Sequence, residues 1–353
     1  MAKVLMKGNE AIGEAAIRAG CRYFFGYPIT PQSELPEYMS LHLPKAGGVF
    51  LQAESEIAAI NMVYGASGSG ARVMTGSSTP GIALKQEGIS YIAGAQLPCV
   101  IVNMMRGGPG LGSIQPAQSD YNQSTRGGGG GDYRLLAYAP ASVQEMVDYV
   151  QLAFDKADEY RNPVLVVGDG VIGQMMEPVE FRATAASDLP PKDWATTGTG
   201  GKRPPNIINS LYLDAEELER HNIHLAEKYN RIKENEQRWE SVGLEGAELV
   251  IVAYGTTARI AKSAMENLNR QGKKIGLLRL ITLWPFPEKG FAELDEATKD
   301  LLVVEMSMGQ MVDDVRIVNE GKRGVHFVGR SGGVIPSTAL VEEKILEILE
   351  RSE

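Results

Sequence analysis

The chain has 353 residues, 43% hydrophobic and 22% charged, which is enough apolar material for two ordinary domains and too much for one small module. Its net charge of −9 comes with no concentrated Lys/Arg stripe, so a nucleic-acid partner held through clustered cations is not expected. Two cysteines, Cys21 and Cys99, cannot supply the four thiolates of an iron–sulfur cluster or a Cys-type zinc centre. Any electron or metal chemistry must therefore draw on another chain or a bound cofactor. No apolar run approaches the roughly 18–20 residues needed to cross a bilayer. The start, MAKVLMKGNEAIGEAA, has no continuous apolar h-region behind its lysines. A cytoplasmic protein without a membrane partner is expected.

In chain order, RYFF at 22–25 reads as a strand, 56–64 as a helix, and 72–74 and 99–104 as strands. A helix over 142–160 and a strand over 164–167 follow. These strands are continuous apolar runs rather than alternating ones, as suits parallel strands covered on both faces. The alternation stops between about 182 and 248. The stretch DLPPKDWATTGTGGKRPPN is a connector, and a helix follows with Asp214 and Glu217 placed as a capping box. Leu218, Leu225, Ile232 and Trp239 recur every seven residues and predict one apolar seam on that charged helix. Such a seam packs on its own chain or offers a subunit contact. Strands over 249–253, 274–278, 301–305 and 325–328, with a helix over 257–271, complete a second α/β unit. The predicted architecture is α/β and doubly wound, divided at 1–185, 186–245 and 246–353.

Forty glycines, about 11% against an average near 7%, gather in clusters such as TGSSTPG, RGGPGLG and RGGGGGD. Turn chemistry alone explains any single cluster. Gly168-Asp169-Gly170 closes the strand NPVLVV and resembles the opening of a magnesium–diphosphate motif. That motif needs an asparagine about thirty residues later as a second oxygen ligand. PKDWATTGTG contains none and the next is Asn206, so this GDG reads as a turn and no metal is assigned to the chain.

Three other segments carry candidate chemistry. In Gly26-Tyr27-Pro28-Ile29-Thr30-Pro31, two prolines bracket Thr30 and would hold its hydroxyl rigidly before a helix beginning near Ser33. The bland alternative is a loop leading into a helix. In QAESEIAAINM, Glu54 and Glu56 open a helix whose next turns are almost wholly apolar. Glutamates there are ordinarily dipole partners, but this helix has no solvated face. Burial raises a carboxyl pKa and suits the group to share a proton with a cofactor nitrogen. In NMMRGGPG, Arg106 ends a buried-looking strand, where ligands bind in open α/β sheets. Its guanidinium could take a carboxylate bidentately or cap the loop through carbonyls.

Together GYPITPQSE, QAESEIAAINMVYGA, RGGPGLG and RGGGGGDYR resemble the alpha subunit of the 2-oxoacid:ferredoxin oxidoreductases, in its branched-chain (3-methyl-2-oxobutanoate) form. AYGTTARIAKSA, GLLRLITLWPFP and VVEMSMGQM extend the resemblance through the second half. It implies a thiamine diphosphate-binding fold, with a pyrimidine-type domain and a domain like the C-terminal one of transketolase. It also implies that a beta subunit holds the diphosphate and Mg²⁺. Gamma and ferredoxin-like delta subunits would join it, partner chains would carry [4Fe-4S] clusters, CoA would be the co-substrate and ferredoxin the acceptor. The implied reaction is oxidative decarboxylation of a 2-oxoacid to acyl-CoA.

By the same resemblance, Glu56 contacts the pyrimidine nitrogen, Thr30 a substrate oxygen and Arg106 the substrate carboxylate, with Tyr27, Pro28 and Ile29 in the cofactor loop. The family spacing places a helix glycine nine residues on, at Gly65, which selects Glu56 over Glu54. Relatives usually carry a histidine where this chain has Gly130. A 2-oxoglutarate or pyruvate substrate keeps the mechanism, and a second substrate carboxylate would call for a second cation, with Lys85 or Arg126 as candidates. The Gly-Leu-Gly after RGGP, where 2-oxoglutarate subunits have Ser-Thr-Gly, favours a branched side chain. A transketolase half or lipoamide-linked dehydrogenase is disfavoured by YPITP and the domain order, and a non-catalytic scaffold by the joint presence of Thr30, Glu56 and Arg106.

Overall fold

The computed structural model describes residues 3–182 and 189–352. The expected boundary at 185/186 lies outside the described residues. The strands are β1 (Val4–Lys7), β2 (Tyr23–Gly26), β3 (Val49–Gln52), β4 (Val73–Ser77), β5 (Cys99–Met105), β6 (Leu136–Tyr138) and β7 (Pro163–Asp169). They continue with β8 (Met176–Val179), β9 (Trp239–Val242), β10 (Leu249–Tyr254), β11 (Ile275–Leu280), β12 (Thr282–Trp284), β13 (Asp300–Glu305) and β14 (Gly324–Gly329).

A seven-stranded sheet runs in the order β12-β6-β7-β5-β4-β2-β3, parallel except for β12 at its edge. Every residue of β4, β5 and β7 is buried, which is why β5 and β7 open on continuous apolar runs. The parallel strands turn their carboxyl ends, among them Gly26, Gln52, Ser77, Met105 and Asp169, to one side. A second sheet runs β14-β13-β10-β11-β9, parallel except for β9, and β1 pairs with β8. The two sheets interleave in sequence: β9 comes from the stretch read as connector, and β12 from the second unit joins the first sheet. Both are short, antiparallel edge strands with little hydrophobic pattern of their own.

The sheets are fixed on one another by buried polar contacts. The Gln118 side chain donates to the Tyr254 carbonyl at 2.8 Å and accepts from the Thr257 hydroxyl and the Met306 amide. Arg279 makes a bidentate pair with Glu145 at 2.7 and 2.8 Å and also reaches Glu240.

The charged helix spans Ala215–Asn235, and Asp214 caps it by accepting from the Glu217 amide at 2.8 Å. Leu225 and Ile232 bury against the core of their own chain, whereas Leu218 remains 38% exposed. The predicted seam is corrected at its last member, because Trp239 opens β9 and is not on the helix. The helix stops at Glu236, whose buried carboxylate accepts from Tyr160 at 2.9 Å and pairs with Lys156 at 2.7 Å. That anchorage turns the chain into the strand. Among the described residues no helix is long and apolar enough to cross a membrane.

Candidate active site

Glu56 is the first residue of the helix Glu56–Gly68, whose cap is the Ser55 hydroxyl accepting from the Ala58 amide. The apolar turns that follow pack Ala59, Ile60 and Val63 into the core, and this draws Glu56 inside with them. It is 3% exposed, whereas Glu54 is exposed. The Ser77 hydroxyl donates to Glu56 Oε1 at 2.5 Å, and the Lys85 ammonium lies 2.6 Å from Oε2. Lys85 is completely buried and also donates to the Thr75 hydroxyl at 2.9 Å and the Gly76 carbonyl at 3.2 Å.

The loop after β2 and the end of β5 meet. Arg106 donates to the Thr30 carbonyl at 3.1 Å and the Leu111 carbonyl at 3.2 Å. Of the two roles open to Arg106, carbonyl capping is thus occupied in the chain alone. A guanidinium has five N–H donors, and Arg106 Nε is buried without a partner, so capacity for an anion remains. Thr30, Tyr27 and Pro28 are exposed and Ile29 is half-buried. The Arg106 amide donates to the Thr79 hydroxyl at 3.1 Å, and that hydroxyl donates to buried Asp120 at 2.6 Å. Burial pushes the Asp120 carboxyl up, against hydrogen bonds from Thr79 and Asn103 that pull it down.

The turn Ser77-Ser78-Thr79 therefore joins Glu56, through Ser77, to Arg106 and Thr30, through Thr79. It belongs to the TGSSTPG cluster, for which turn chemistry is a sufficient reading of the sequence but an incomplete one of the structure. Sequence reasoning missed Ser77, Thr79 and Asp120. It also gave Lys85 another role: Lys85 and Arg126 were candidates for binding a second substrate carboxylate, and both are paired within the chain. Lys85 is buried on Glu56, and Arg126 is paired bidentately with Asp314 at 2.5 and 3.0 Å. The sequence holds no local signal for this, because the partner of Lys85 in the helix Thr79–Gly94 is distant in the chain.

Gly81 explains how tightly this corner is built. A Cβ there would stand 2.1 Å from Ser77 Oγ and 2.3 Å from Glu56 Oε1. Gly81→Ala should therefore displace the Glu56 carboxylate and cost about 1–3 kcal/mol, as overpacking does. Chemical denaturation of wild type and variant checks this; equal stabilities would mean that the corner is looser than these distances imply.

The GDG segment is a strand-to-helix turn. Asp169 caps the short helix Gly170–Gln174 by accepting from the Val171 and Ile172 amides. Asn206 spends its amide on the Asp193 and Ala195 carbonyls. Gly130 has nothing within 4 Å of a Cβ position, so a side chain could begin there without a clash.

Residues 14–238 match the thiamine diphosphate-binding family of pyruvate flavodoxin/ferredoxin oxidoreductases, and residues 247–341 match core domain II of pyruvate:ferredoxin oxidoreductase. The chain belongs to this family. It is 51% identical over 348 residues to ketoisovalerate oxidoreductase subunit VorB of Methanothermobacter thermautotrophicus, covering 99% of this chain and 98% of that one. Against 2-oxoglutarate synthase subunit KorA of the same organism, identity is 37% over 369 residues, covering 97% and 98%. Among solved structures, the 2-oxoglutarate:ferredoxin oxidoreductase of Magnetococcus marinus superposes with a TM-score of 0.88 at 26% identity. That match covers 98% of this chain and 65% of the other, so this chain spans about two-thirds of its length. An inactive split-gene transketolase tetramer shares the fold, with a TM-score of 0.61 at 15% identity over 98% of both chains. The expected thiamine diphosphate-binding architecture, with its likeness to transketolase, is thereby established for this oxidoreductase subunit.

The site fits a pyrimidine ring at Glu56. Oε2 meets the Lys85 ammonium at 2.6 Å and Oε1 accepts from Ser77, which leaves acceptor positions of the buried carboxylate open. The Ser78 hydroxyl, Asn103 Oδ1 and both amide atoms of Gln32 are buried without partners around the same strand ends. Buried polar atoms in folded proteins are mostly hydrogen-bonded. Their concentration here suits a polar ligand.

Proposed function

We propose that this chain supplies the pyrimidine-facing half of the thiamine diphosphate site in a branched-chain 2-oxoacid:ferredoxin oxidoreductase. The observation that carries the reading is the continuous line Glu56–Ser77–Thr79–Arg106–Thr30 across the carboxyl ends of parallel strands. Residues 1–185 form the pyrimidine-binding unit, 186–245 the connector and helix, and 246–353 the transketolase C-terminal-like unit. Thiamine diphosphate, when bound, supplies the electron sink for decarboxylation. Glu56 accepts a hydrogen bond from the ring nitrogen and so helps move the proton that activates the cofactor. Thr30 offers its hydroxyl to a substrate oxygen, with Tyr27, Pro28 and Ile29 as the wall of its loop. Arg106 turns its unused donors to the substrate carboxylate, a charge-assisted contact.

A beta subunit holds the diphosphate and Mg²⁺, and gamma and ferredoxin-like delta subunits carry [4Fe-4S] clusters towards ferredoxin. CoA accepts the acyl group, and the complex works in the cytoplasm. The branched-chain preference is supported by the likeness to the ketoisovalerate subunit and by the engagement of Lys85 and Arg126 within the chain. Purification of the native complex and assay of a 2-oxoacid panel with CoA and ferredoxin tests this. The expected order places 3-methyl-2-oxobutanoate first by kcat/KM, and a preference for 2-oxoglutarate would overturn it. The subunit alone should be colourless and inactive. A brown, competent preparation of this chain by itself would remove the need for partners.

A further inference from the structure

We propose that Lys85 is a positioning residue that fixes the charge and direction of Glu56. The inference rests on the reading of Glu56 as the pyrimidine-facing carboxylate and adds a residue to it. A carboxylate drawn into an apolar helix start would favour its neutral, protonated form. Here an equally buried ammonium stands 2.6 Å away, held in place by the Thr75 hydroxyl and the Gly76 carbonyl. Burial lowers the proton affinity of Lys85, and the Glu56 charge opposes that trend. Glu56 bears on Lys85 from the facing helix; strand β4 offers only the uncharged Thr75, Ser77 and the Gly76 carbonyl. Asp120 is bound elsewhere, to Thr79 and Asn103.

The geometry has a functional consequence. Ser77 occupies one lone pair of Oε1 and Lys85 sits against Oε2, out of about four acceptor positions on an ionised carboxylate. The positions that remain face the ring nitrogen, and the Lys85 charge favours the ionised carboxylate, so the shared proton is biased towards the ring, whose protonated N–H Glu56 then accepts. Lys85 also stops the carboxylate from rotating away from that duty.

The test uses the full-length chain and the assembled complex. Removing one member of a buried pair strands the other charge and typically lowers the folding constant roughly 10²- to 10³-fold or more. Lys85→Met and Glu56→Gln should each do so, and the double variant should recover much of the loss. The pH dependence gives the signature. In Lys85→Met the folded state keeps a proton on the buried carboxyl that the unfolded state releases, so stability should fall as pH rises. In Glu56→Gln the folded state sheds a lysine proton that the unfolded state keeps, so stability should rise with pH. Measured against the double variant, wild type should lack the falling slope of Lys85→Met and show at most a weaker form of the rising one, because Glu56 offsets part of the burial effect on Lys85. A side chain that merely fills space would give no opposed slopes.

In the complex, the acid limb of thiamine C2 proton exchange against pH should move upward by about one unit or more in Lys85→Met, and Lys85→Arg should largely restore it. An unmoved limb, or absence of the opposed slopes, would overturn the proposal. If Lys85→Met alone does not fold, a folded double variant supports the pair and an unfolded one overturns it. Should Glu56→Gln leave exchange intact, the pyrimidine reading fails while the ion-pair result stands on its own.

Discussion

Glu56→Gln in the assembled complex should lower kcat by about 10²- to 10⁴-fold, the usual span of a general acid–base contribution. Glutamine is nearly isosteric and still hydrogen-bonds, but it cannot share a proton with a ring nitrogen as a carboxylate does. The structure adds a cost that is invisible in the sequence. The substitution leaves Lys85, completely buried, without its counter-charge. The variant should therefore also be less stable, and its turnover should be measured well below its own unfolding transition. A variant that retains wild-type kcat would remove Glu56 from the chemistry.

Arg106→Ala should lower kcat/KM for every 2-oxoacid by roughly tenfold to a hundredfold, because a lost charge-assisted hydrogen bond costs about 1.5–3 kcal/mol. Binding of thiamine diphosphate should weaken less than kcat/KM falls, since Arg106 reaches the cofactor loop only through the Thr30 carbonyl and does not contact Glu56 or Ser77. The two carbonyl contacts introduce a second effect. Without them the Thr30 loop and the glycine loop lose a shared anchor, so part of the loss should appear in kcat as misplacement of Thr30. Arg106→Lys separates the two effects: it keeps the charge but not the planar fork that reaches both loops. Unchanged kcat/KM across the substrate panel in Arg106→Ala would show that the substrate carboxylate is bound elsewhere.

The parts of the fold legible in the sequence were those where burial dictates composition. β5 and β7 are buried on both faces, and their apolar runs announced them to within a residue or two. The edge strands β3, β9 and β12 were not legible. β3 has exposed residues at three of its four positions, and β9 and β12 depend on partners distant in the chain. The seven-residue recurrence through Trp239 misled because periodicity carries no record of where Glu236 ends the helix. Within the site, Thr30, Glu56 and Arg106 stood out by local pattern, since prolines, a helix start and a strand end are readable from neighbours. Lys85 was misassigned because its function lies in a tertiary contact: it is 29 positions from Glu56, and nothing local tells an inward-facing lysine from a solvated one.

Exchange of the thiamine C2 proton for deuterium, followed in the assembled complex at saturating cofactor, tests the central assignment most directly. It reads the activating proton transfer before substrate or ferredoxin takes part. Glu56→Gln should slow exchange by about 10²- to 10⁴-fold, while Glu54→Gln, at an exposed position, should match wild type. Slow exchange in Glu54→Gln with normal exchange in Glu56→Gln would move the site two residues along the chain, and normal exchange in both would contradict the account of this helix.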